Sequence, residues 1–155
     1  MERQETEVMY ASGTSVSAER TKAEIEQTLR RYGATQFASG WDSTNGRAYV
    51  GFHVAERAMK FILTLPDSND PECRLTPKGK RRSDADTQRH WEQAVKQKWR
   101  ALLLVIKAKL ESVEGGIETI EQAFLPQIVL PGGRNVGDWA QDAISEAYRT
   151  GNIPQ

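Results

Sequence analysis

The longest uninterrupted pattern in the chain runs from Ser83 to Glu114. Apolar residues recur there at Trp91, Val95, Trp99, Leu102, Ile106, Leu110 and Val113, in steps of four and three. That is the helical period. No Pro or Gly interrupts the run, and Ala, Leu, Lys, Gln and Glu dominate it, all good helix formers. Ser83 or Asp84 suits the N-cap, Asp84 and Asp86 suit the positive end of the dipole, and Gly115-Gly116 suits the C-terminus. The pattern predicts a rod of about 45 Å. Its middle, Ala101 to Ile106, is apolar on every side, which predicts burial on every side. A sheet would cover one side, and another helix or a second subunit the other, so a homo-oligomer, most simply a dimer, is expected. Six apolar residues are far too few to span a bilayer.

Shorter patterns flank this rod. Ile25, Leu29 and Tyr32 make a stripe on a first helix from Ser17 to Tyr32, with Ser15 or Ser17 as its cap and Gly33 after its end. Arg30 and Arg31 fall in its last turn, where cations oppose the dipole without any ligand. Strand patterns follow. Ala34 to Trp41 alternates, with Thr35, Phe37 and Trp41 on one side. Asn45-Gly46 ends a hairpin loop. Arg47 to Val54 alternates with Ala48, Val50, Phe52 and Val54 inward. Met59 to Leu65 alternates with Met59, Phe61, Leu63 and Leu65 inward, and Pro66 ends it. Leu102, Ile106, Phe52, Phe61 and Leu63 are expected to share one core. The outer sheet face would show Tyr49, His53, Lys60 and Trp41. After the rod, Ile117 to Phe124 reads as a short helix, Leu125 to Leu130 as extended, and Val136 to Tyr148 as a last amphipathic helix.

Two stretches lack a period. Residues 1–15 read as a polar tail in which Val8-Met9-Tyr10 offers a short edge strand. Asp67 to Arg82 reads as a mobile loop ending in the basic tract Thr76-Pro77-Lys78-Gly79-Lys80-Arg81-Arg82. The expected architecture over 1–155 is therefore a single α+β domain: N-terminal helix, three-stranded antiparallel meander, long central helix and C-terminal helical segment.

Charge changes the picture more than composition does. Lys and Arg number 21 and so do Asp and Glu, so the net charge is zero. From Lys78 to Lys109, however, ten bases face three acids, a local balance of +7, and the remainder carries −7. Such segregation points to an anionic partner. One cysteine, Cys73, allows no internal disulfide and suits a reducing cytoplasm. No signal peptide or membrane span is legible.

Catalytic chemistry is hard to place. Two histidines and one cysteine do not make a metal-ligand pattern. There is no Gly-x-Ser-x-Gly elbow and no phosphate-cradling glycine loop. A metal-dependent nuclease would want an acid two residues before a strand lysine. Asp42 ends the first strand, but Ala58 precedes Lys60. No cofactor, no metal and no enzymatic activity are expected.

The runs Trp99 to Glu111 (WRALLLVIKAKLE) and Phe124 to Pro131 (FLPQIVLP) resemble those of a family of small phage and prophage proteins. No activity is assigned to that family, so the resemblance implies a mobile-element origin and no residue roles. From the residues themselves, the leading expectation is nucleic-acid binding. Lys78, Lys80, Arg81, Arg82, Arg89, Lys96 and Arg100 would hold phosphates, and Trp41 and Tyr49 would stack bases. The competing expectations are a protein-binding module that inhibits or redirects a host factor, and sequestration of a small anionic signal molecule.

Overall fold

The computed structural model describes residues 18–155. The 1–15 tail, the edge strand at Val8-Met9-Tyr10 and the caps at Ser15 and Ser17 lie outside the described residues. Helix α1 covers residues 18–31. Strands β1 (Gln36–Asp42), β2 (Arg47–Val54) and β3 (Arg57–Thr64) follow, then α2 (Pro71–Arg74), α3 (Asp84–Glu114), α4 (Ile120–Ala123), a 3-10 turn (Leu125–Gln127) and α5 (Val136–Thr150). The order of N-terminal helix, meander, long helix and C-terminal helix is the expected one, and the fold is α+β.

The sheet is antiparallel in the order β1-β2-β3. Its register places Phe37, Phe52 and Met59 on one face, with Val50 beside Phe61 and Ala48 beside Leu63. That face meets the stripe of α3. Trp91, Val95, Trp99, Leu102, Ile106 and Leu110 are all buried in one cluster with Ile25 and Leu29 of α1 and with Ala48, Val50, Phe52 and Phe61 of the sheet. Leu63 is half-buried against the same cluster. Phe124, carried in by the turn after α4, closes the core edge-on to Phe52 and Phe61, at 5.6 and 6.1 Å between ring centres.

Local chemistry fixes the ends of each element. The Ser83 hydroxyl accepts from Asp86 N, as the N-cap of α3. Thr119 and Gln122 form a reciprocal capping box on α4. Asp42 accepts from the backbone N of Thr44 and Asn45 and from the Asn45 side chain at 2.7 Å. The Asp42 carboxyl therefore serves the β1–β2 turn, and the Asn45 bond holds its pKa below the ordinary value. The β2–β3 turn is a tight hairpin. Only Ala55 and Glu56 connect the strands, both with positive φ (51° and 60°), the geometry that a two-residue hairpin demands.

Three features differ from the sequence reading. Residues 67–82 are not a structureless loop. Pro71–Arg74 is a turn of helix pinned by the buried Cys73. Residues 74–82 form a hairpin closed by Arg82 N to Arg74 O at 2.7 Å and Thr76 N to Lys80 O at 2.7 Å. Leu125–Gln127 is a 3-10 turn rather than extended, while Ile128 and Val129 do line the edge of β3, where Val129 N donates to Ala58 O at 2.8 Å. Finally, among the described residues the apolar girdle of α3 is buried on one side only. Leu102, Leu103 and Ile106 are buried, and Leu104 and Val105 are exposed.

Candidate nucleic-acid interface

The basic residues separate into those used internally and those offered to solvent. Arg82 is internal. Its side chain is 12% exposed, donates Nε–H to Leu75 O at 3.2 Å and NH1 to Asp86 at 3.3 Å, and contacts His90 Nε2. These contacts bind the hairpin base to the first turns of α3. Arg82, expected in the phosphate-binding set, is a structural residue here. Partial desolvation raises the Asp86 pKa, but Arg82, Arg89 and His90 more than offset it, and the carboxyl ends below its ordinary value. Lys78, Lys80 and Arg81 are exposed at the hairpin, with Gly79 at φ 82° making its turn.

Along α3, Arg89, Lys96 and Arg100 are exposed. Their spacing of seven and four continues another seven to Lys107, an exposed base outside the expected set. At 100° per residue these four lie within about 40° of one another around the helix and extend about 27 Å along it. Glu92, one turn before Lys96, borders the stripe. Helix α1 brings Glu24 to the far end, where Lys107 Nζ donates to it at 2.9 Å. That bond lowers the Glu24 pKa, and the charges of Arg100 and Arg31 add to the effect. Arg31, at the end of α1, is exposed. Sequence spacing alone was sufficient to find Lys107. Nothing in the sequence could bring Glu24 to Lys107, because which face of α1 meets α3 is a tertiary fact. Arg89 pairs with Asp86 at 2.9 Å with its own side chain 75% exposed, and so exposed a pair contributes little and exchanges readily.

The two aromatic candidates do not act together. Trp41 pairs in register with Ala48 and so lies on the core face of the sheet, 39% exposed at its edge. It is not on the outer face with Tyr49, where it was expected to show, but on the side that the alternation of β1 shares with Phe37. Tyr49 lies on that outer face, which turns away from α3. Its ring passes directly over Gly40, where an added Cβ would come within 2.2 Å of the hydroxyl. Lys60 Nζ sits 5.0 Å from the ring centre. Beside it, Ala38, Gly51, His53, Ala58, Lys60 and Val129 line a shallow hollow of about 290 Å³. Tyr49 is thus separated from the α3 stripe by the thickness of the domain.

No described helix is long and apolar enough to cross a membrane. Among the described residues, no group of three or more His, Cys, Asp or Glu is placed to hold a metal ion. Comparison with protein-family models, with curated proteins and with solved structures finds no match.

Proposed function

We propose that this protein is a non-enzymatic nucleic-acid-binding accessory protein of a mobile element, acting in the cytoplasm and gripping backbone phosphates without reading sequence. The observation that carries the reading is the stripe Arg89, Lys96, Arg100 and Lys107 on one face of α3, preceded by the exposed bases Lys78, Lys80 and Arg81. Flexible bases in a line fit a phosphate backbone and give affinity without base discrimination. Tyr49 and Trp41 are left out of the contact surface, because each lies on a different face of the sheet.

Filter binding of single- and double-stranded oligonucleotides across a salt series tests this. Replacing Lys96 and Arg100 by Ala is expected to weaken binding equally for all sequences and to lower the log–log salt slope by about one unit for each phosphate no longer neutralised. Glu24→Gln is expected to strengthen binding, since it removes the one acid that α1 carries into the stripe. A parent protein that binds no oligonucleotide at low salt would refute the reading. The partner would then be a host protein, for which the exposed apolar side chains Trp139, Ile144 and Tyr148 of α5 are the supporting observation.

A further inference from the structure

Helix α5 is amphipathic, yet none of its residues is buried. Its close packing within the chain is against the 3-10 turn, where Gly137 meets Pro126. Val136 N to Ile128 O and Asn135 Nδ2 to Lys60 O hold its start at the β3 edge. Trp139 is 54%, Ile144 48% and Tyr148 89% exposed. With Ala140, Ala143 and Ala147 they recur at helical spacing and form one apolar face about 15 Å long. Asp138, Asp142 and Glu146, spaced by four, lie along a single edge of that face. Arg134 pairs with Asp142 and Arg149 with Glu146, exposed pairs that exchange readily, and three acids against Arg149 leave the helix itself net acidic.

A complementary surface exists on the same molecule. Ala101, Leu104, Val105 and Ala108 of α3 are all exposed and follow the i, i+3, i+4, i+7 spacing of one helix face. This stripe lies on the side of α3 turned away from the sheet, so the α5 of the same chain, anchored at β3, does not cover it. Bases border it on both edges, Lys98 on one and Arg100 and Lys107 on the other. An acidic-edged helix therefore meets opposite charge whichever way it runs. Two antiparallel copies of α5 facing each other would bring like-charged edges together, and two parallel copies would set the acids against Gln141 and Ser145 rather than bases, so charge favours α3 as its seat.

We infer that α5 of one copy docks on the Ala101–Leu104–Val105–Ala108 stripe of a second copy, and that the reciprocal contact closes a two-fold dimer. The aromatic anchors Trp139 and Tyr148 supply the apolar area, and the charged edges supply the register. Arg100 and Lys107 border both this seat and the proposed phosphate stripe, but the test is separable from nucleic-acid binding, because Leu104 and Ile144 carry no charge.

Sedimentation velocity from about 1 to 100 μM, without nucleic acid, tests it. The parent is expected to sediment as a dimer in the upper range. Leu104→Glu and Ile144→Glu are each expected to weaken dimerisation at least tenfold while keeping the parent circular dichroism and thermal midpoint at low concentration. Mixing the two variants leaves one chain with an intact α3 seat and the other with an intact α5. One of the two docking interfaces is thereby restored, so the mixture is expected to form heterodimers more tightly than either variant pairs with itself. A monomeric parent at 100 μM overturns the inference. So does a folded Leu104→Glu variant that dimerises like the parent, or a mixture no tighter than its components.

Discussion

Leu103 and Leu104 are neighbours in sequence and sit in opposite environments, which makes them a sharp probe of how α3 is packed. Leu103 is 4% exposed and Leu104 63%. Leu→Ala removes three carbons. At about 0.8 kcal/mol per buried methylene this is about 2.4 kcal/mol for Leu103, and the residual cavity brings the cost to about 3–4 kcal/mol. Only about a third of Leu104 is covered, so its transfer cost is below about 1 kcal/mol, and the helix propensity of Ala returns a few tenths. The two variants are therefore expected to differ by about 3 kcal/mol. Urea unfolding followed by circular dichroism at about 1 μM reads this directly. With a slope near 2 kcal/mol per M, Leu103→Ala lowers the midpoint by about 1.5–2 M, and Leu104→Ala leaves it nearly unmoved. The low concentration keeps the proposed dimer interface out of the measurement. Equal costs at that concentration would mean that the outer face of α3 is covered within a single chain, and that its burial is not one-sided.

Other perturbations separate structural from surface roles. Replacing Ala55-Glu56 by Asn-Gly relieves two positive-φ residues, and is expected to stabilise the fold by about 1 kcal/mol. A lowered thermal midpoint would count against the two-residue turn. Arg82→Ala is expected to cost about 1–3 kcal/mol by orphaning the hairpin base, whereas changing Lys78, Lys80 and Arg81 together leaves the unfolding midpoint unchanged. Equal effects would mean that Arg82 is a surface base like the others. Glu24 and Asp42 titrate below their ordinary values of 4.5 and 3.8 because of the Lys107 and Asn45 contacts. A depressed folded-state pKa contributes stability above the unfolded value and loses it as pH falls through the folded value. Stability is thus expected to fall from about pH 4.5 downwards, and less steeply in the Glu24→Gln, Asp42→Asn double variant. An unchanged acid slope would refute the role of these contacts.

The elements and their inward faces were legible in the sequence, because period and capping are local properties. The steps between Trp91 and Leu110, the alternation of Ala48, Val50, Phe52 and Val54, and the Ser83 cap each need only near neighbours in the chain. The stripe of bases on α3 was legible for the same reason, since constant helical geometry turns spacing into a face. Everything else depended on the folded chain. Folding turned Arg82 inward while leaving Lys78 and Lys80 outside, a choice set by where Asp86, His90 and the Leu75 carbonyl meet. It put Trp41 and Tyr49 on opposite faces, because strand register, not residue type, assigns a side chain to a face. It ordered residues 67–82 through hydrogen bonds between segments that carry no period of their own. It also buried Leu103 and exposed Leu104 within a run that is apolar on every side, since the sheet and α1 cover only the side of α3 that carries the stripe from Trp91 to Leu110.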